Sequence, residues 1–113
     1  VKSAGIPDGF VAVVKAECPT CQLVQPVLSD LATSLGLTVY TQSDPTSPEV
    51  AAWVIDDVDL AVRCHLHVES VPTLIRIVDG EEVARTVGWN RERWEQLTEL
   101  DGLGPDLPVF KPG

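Results

Sequence analysis

Five consecutive apolar residues, Phe10-Val-Ala-Val-Val14, constrain this chain more than any other stretch. A strand with one solvated face alternates apolar and polar residues. An unbroken run rich in β-branched side chains needs cover on both faces. The run therefore predicts a central strand in a sheet packed on both sides. The 113 residues are enough for one domain with one core, and the 44% of hydrophobic residues can fill it.

The segments around that strand alternate in kind. Pro19 suits the first turn of a helix. From Cys21 onward, Leu23, Val24, Val27, Leu28, Leu31 and Leu35 recur at helical spacing. Pro26 has no N–H to give, which predicts a kink near the middle of that helix, and Gly36 is a stop signal. Leu37-Thr-Val-Tyr-Thr41 reads as a second strand. Ser47-Pro48-Glu49 combines an N-cap, a first-turn proline and a first-turn acid. With Val50, Trp53, Val54 and Val58 at helical spacing, residues 48–66 are expected to form helix in two pieces, broken near Asp56–Asp59 and running to about His65. Pro72-Thr-Leu-Ile-Arg-Ile-Val78 opens another strand. Asp79-Gly80 is a hairpin turn, and Glu82–Val87 returns from it. Asn90 caps a last helix through Leu100, with Trp94 and Leu97 inward. Three glycines and three prolines between Asp101 and Gly113 predict an extended tail without regular structure. The order is β-α-β-α-β-β-α. It predicts an α/β fold with a mixed central sheet of about four strands and helices on both faces. Residues 1–100 would make the domain and residues 101–113 a Pro/Gly-rich C-terminal tail.

Charge narrows the partners. Eight basic residues against seventeen acidic ones leave a formal charge of −9, so the chain lacks the basic footprint that nucleic acid or an anionic membrane surface requires. No apolar run approaches the roughly 20 residues of a membrane helix, and no signal-peptide pattern opens the chain. The expectation is a monomer without nucleic-acid or membrane partners. A cytoplasmic setting is favoured, since no targeting segment is visible in this chain.

The chemistry lies in Cys18-Pro19-Thr20-Cys21. Two cysteines three positions apart can be a redox couple, half of a metal site, or two inert buried thiols. Three cysteines in all are too few, and odd in number, for a disulfide-built mini-fold. Cys64, His65 and His67 could complete a tetrahedral zinc site with the pair, although the second group is not at a typical knuckle spacing.

Taken in order, these features resemble the thioredoxin family. A buried strand ends at Ala16-Glu17, Cys18-Pro-Thr-Cys21 opens a helix, Ser70-Val-Pro-Thr73 opens a strand, and the Asp79-Gly80 hairpin and the Val87-Gly88 pair precede the last helix. The resemblance spans about residues 8 to 100. It implies a cis Pro72 facing the cysteines, and a thiol–disulfide oxidoreductase that acts on a protein disulfide or dithiol without a cofactor or metal. Its electron donor goes unnamed. Cys18 at the helix cap would be the nucleophile, its thiolate favoured by free N–H groups and the helix dipole. Cys21, one turn in and buried, would resolve the mixed disulfide. Pro19, Thr20 and Thr73 belong to the motifs, and Val71, Pro72, Gly88 and Trp89 would line the substrate groove. Trp89 is expected in contact with the cysteine loop, and packing back toward Trp94 is the other direction open to it. The chain departs from the family pattern in four places. Glu17 stands where tryptophan is usual, Ala12 where a buried aspartate is usual, the motif reads CPTC rather than CGPC, and the 44–71 connection is longer by roughly a dozen residues. Two other functions compete: a binding module with incidental redox activity, and a metal-binding domain using Cys18, Cys21 and Cys64.

Overall fold

The computed structural model describes residues 8–15, 18–41, 54–56 and 68–112. Its centre is β1 (Gly9–Val14), and the two-sided burial predicted for this strand is present. Ala12 and Val14 point into one apolar cluster, and Val11 and Val13 into another on the opposite face. All four are at most 2% exposed. Pairing on both edges of β1 builds the rest. β2 (Leu37–Thr41) lies parallel on one side, with Ala12 opposite Val39. β4 (Thr73–Val78) lies antiparallel on the other, with Ala12 opposite Leu74.

The sheet has five strands in the order β3-β2-β1-β4-β5, rather than about four. The added strand is β3 (Val54–Asp56), parallel to β2. These three residues were expected in a helix, because Val54 falls at helical spacing from Val50 and Val58. The open edge of β2 decides otherwise. Two β-branched residues beside an unpaired strand gain ladder hydrogen bonds and a packed face, and strand preference follows such neighbours more than local pattern. The remainder of the helix expected over 48–66 lies outside the described residues.

On the far side β4 continues into β5 (Glu81–Val87). Asp79 and Gly80 both take positive φ, 53° and 77°, as a two-residue hairpin turn of this hand requires. The Asp8 carboxylate accepts hydrogen bonds from the amides of both turn residues, at 3.2 and 2.8 Å.

The described helices pack against the Ala12 face. α1 (Pro19–Leu23) and α2 (Gln25–Leu35) meet at Val24. The interruption expected from Pro26 is therefore present but lies near the start of the segment, not its middle. Pro26 sits in the first turn of α2, where its missing N–H costs least. Gly36 ends α2 in the left-handed conformation. α3 (Arg91–Thr98) starts where Asn90 Oδ1 accepts from the Arg93 amide, 3.1 Å. It stops at Thr98, two residues short of expectation, because Glu99 takes a left-handed φ of 60°.

The segment after α3 is not without regular structure. β7 (Phe110–Lys111) pairs antiparallel with β6 (Trp89–Asn90) as a second small sheet. Leu103 is buried in the same cluster as Val24, Leu28 and Trp94. The Arg91 guanidinium donates to the carbonyls of Leu103, Gly104 and Leu107 at 2.6–2.9 Å. Proline and glycine density correctly excludes a helix here, but one side chain with several donors can fold such a segment by collecting its carbonyls.

Trp94 joins these parts. It is fully buried, its ring lies edge-on to Trp89 at 5.1 Å, and its Nε1 donates to Gly88 O at 2.9 Å. Trp94→Ala is expected to cost about 3–5 kcal/mol of stability, from the cavity and the unpaired carbonyl together. Urea unfolding followed by far-UV circular dichroism measures it.

Candidate active site

Cys18 follows the end of β1 and caps α1. Its amide donates to Lys15 O at 3.2 Å, which turns the chain from strand into helix. Its sulfur then accepts the Cys21 amide at 3.2 Å. The same Sγ lies 3.6 Å from Val71 O, to which a protonated thiol donates. Cys18 as a residue is half-buried.

Cys21 is one turn further in and only 4% exposed. Both thiols are unbonded to each other. Burial pushes the Cys21 thiol well above its ordinary value of 9.0, with the Cys18 side chain adding to the shift. The usual buried acid is replaced by Ala12, which is itself fully buried in the cluster that holds Cys21. Cys21 is therefore a neutral thiol through the physiological range.

The loop before β4 faces this pair. The Val71–Pro72 peptide bond is cis, as the resemblance implies. Val71 is half-buried, and Pro72 and Thr73 are buried. Thr73 Oγ1 donates to Ser70 O at 2.6 Å and steadies the turn. Gly88 N donates to Pro72 O at 2.7 Å, so a third segment is tied to the same rim. Val71 thus stands beside Cys18, and Gly88 is joined to the Pro72 that follows it.

Trp89 does not line a groove. It is 0% exposed, packs on Trp94, and donates from Nε1 to Pro108 O at 2.6 Å. An indole buried with its N–H satisfied gains more than one left at a rim, and the 101–112 segment supplies both the cover and the acceptor. Thr20 is also buried, and its hydroxyl donates to Pro112 O at 2.7 Å. That segment had been given no part in the site. Its signal in the sequence was the apolar set Leu103, Leu107, Val109 and Phe110 among the prolines and glycines.

Cys64, His65 and His67 of the metal reading, Glu17 beside the pair, and Trp53 lie outside the described residues. Among the described residues no group of three or more Cys, His, Asp or Glu is placed to hold a metal. Likewise, no described helix is long and apolar enough to cross a membrane.

A half-buried cysteine held by an amide, a buried second thiol one turn away, and a cis-proline loop facing both are the equipment of a thiol–disulfide oxidoreductase. No family model matches the chain. It is, however, 35% identical over 92 residues to thioredoxin of Mycobacterium tuberculosis, covering 80% of this chain and 68% of that one. Thioredoxin H-type 1 of Nicotiana tabacum is 29% identical over 79 residues, covering 70% of this chain and 54% of the relative. Among solved structures, thioredoxin O2 from Arabidopsis thaliana in the oxidised state superposes with a TM-score of 0.56 at 25% identity, over 80% of this chain and 70% of that one. The chain belongs to the thioredoxin family, and its enzyme class is thiol–disulfide oxidoreductase.

The Cys21 shift has a consequence for stability. Below pH 9.0, the ordinary thiol value, both folded and unfolded chains keep this proton. Above it the unfolded chain releases the proton while the folded chain retains it, so unfolding is favoured as pH rises. The loss approaches about 1.4 kcal/mol per pH unit. Cys21→Ala is expected to flatten this part of the profile relative to the parent, as measured by denaturant unfolding at pH values on either side of 9.0.

Proposed function

We propose that the chain exchanges disulfides with protein partners through a mixed disulfide at Cys18 that Cys21 resolves. The observation that carries this reading is the unequal pair: Cys18 is half-buried and its Sγ accepts the Cys21 N–H, while Cys21 is buried one turn behind it.

In the reducing direction the Cys18 thiolate attacks one sulfur of a partner disulfide. A bond forms between Cys18 Sγ and that sulfur, the partner's S–S bond breaks, and the second partner sulfur leaves as thiolate. Cys18 is now neutral. Its contribution to holding the Cys21 proton weakens, while burial still raises that thiol and backbone hydrogen bonds lower it. Cys21 gives its proton to the departing thiolate and attacks Cys18 Sγ. The Cys18–Cys21 disulfide forms, and the first partner sulfur leaves. The partner gains two electrons and the Cys21 proton from this chain, and its last thiolate takes a proton from solvent, equal to the one Cys18 released on becoming thiolate. The reverse sequence forms a disulfide in a partner dithiol. An electron donor or acceptor outside this chain completes the cycle. An extended partner segment beside Val71 would meet backbone groups there, with Gly88 leaving room for close approach.

Cys18→Ser should abolish exchange with a protein disulfide such as insulin. Cys21→Ser should still attack but fail to release, accumulating a mixed disulfide visible by non-reducing mass spectrometry. Turnover by Cys18→Ser, or parent-like turnover without trapping by Cys21→Ser, would refute the assigned roles. A parent chain with no exchange at all would favour the binding-module reading.

A further inference from the structure

The residue between the two cysteines is tied to a remote part of the chain. Thr20 Oγ1 donates to Pro112 O at 2.7 Å across 92 positions. The same segment is held at three further points. β7 pairs with β6, directly after the Gly88 that bonds Pro72 O. The Arg91 amide donates to Val109 O at 3.0 Å. Trp89 Nε1 donates to Pro108 O. Residues 108–112 therefore run from the start of α3, where Arg91 holds Val109, to the CPTC loop, where Pro112 meets Thr20. Val109 and Phe110 stay 64% and 57% exposed, so this strip stands above the fully buried Trp89 as a raised edge.

We propose that residues 108–112 form a fixed wall along the Thr20 flank of the dithiol and select disulfide partners by size. Approach to Cys18 is left open on the side of Val71 and closed on the side of Thr20. Small disulfides and thin extended segments reach the sulfur. Bulky folded surfaces that would need to cover the CPTC loop do not, until the wall is released. The segment acts as a specificity determinant through steric exclusion, and it touches no reacting atom. Its anchors are the Thr20 hydroxyl and the β6–β7 ladder. Both are removable without altering either cysteine.

The inference rests on Cys18 being the reactive thiol, but its test reads access and not turnover. Cys18 in the reduced full chain is alkylated with iodoacetamide, and separately with a maleimide carrying a large polymer. Modification at Cys18 is quantified by peptide mapping. The comparison is the parent against the double variant Thr20→Val/Lys111→Pro, which removes the hydroxyl donor and the ladder N–H at position 111. Amide exchange at Arg91, whose N–H donates to Val109 O, reports in both proteins whether the strip is released. The expected result is faster exchange at Arg91, a several-fold rise in the rate with the bulky maleimide, and less than a twofold change with iodoacetamide, so that the ratio of the two rates rises. An unchanged ratio with the Arg91 amide released overturns the wall. Unchanged exchange at Arg91 overturns it as well, because the named anchors then do not hold the strip. A parent that alkylates normally but shows no disulfide exchange sinks the oxidoreductase proposal and leaves this result standing.

Discussion

Burial of β1 on both faces is the constraint on which the rest depends. It requires a strand on each edge and a packed layer above and below. It also decides where chemistry can occur. Chain leaving a fully buried strand must turn at the sheet's end, and the Lys15–Cys18 hydrogen bond makes that turn. The first cysteine is thereby delivered to the surface and the second to the interior. The asymmetry between the two thiols is thus inherited from strand burial.

Much of this was legible because the signals were local or periodic. The five apolar residues of β1, the Gly36 stop, the Asp79-Gly80 turn and the Asn90 cap each act through their own backbone and appear as read. The placement of Cys18 at the start of α1 and of Cys21 one turn in also appears as expected. What was misread depended on distant partners. Val54–Asp56 is a strand because β2 offers an edge, and helical spacing carries no record of that edge. Trp89 is buried because residues 103–112 cover it, and those residues read as unstructured when judged by proline and glycine content. A segment whose carbonyls are collected by one arginine leaves almost no periodic trace.

The replacement of the usual acid by Ala12 gives the site a particular electrostatic character. A carboxylate in that cluster would be a second ionisable group beside Cys21. Without it, desolvation and the Cys18 side chain are what raise this thiol among the described residues. In the proposed cycle the base that takes the Cys21 proton is the thiolate the partner has just released, so product release would depend on that leaving group's basicity.

The Arg91 fork has an evolutionary reading. Among the described residues it donates to main-chain oxygens of Leu103, Gly104 and Leu107. Carbonyls are the same in every amino acid, so the loop's shape is written in one side chain outside it. Its residues are free to drift wherever their own side chains are not called upon. Leu103 is held by packing. Gly104 is held by its positive φ and by Leu107 Cδ1, 2.8 Å from where a Cβ would stand. Between those two fixed positions and β7 the loop can accept mutation, while Arg91 cannot become lysine without forfeiting the fork. Comparison of homologous chains should find invariance concentrated in α3 and variability in the loop it organises.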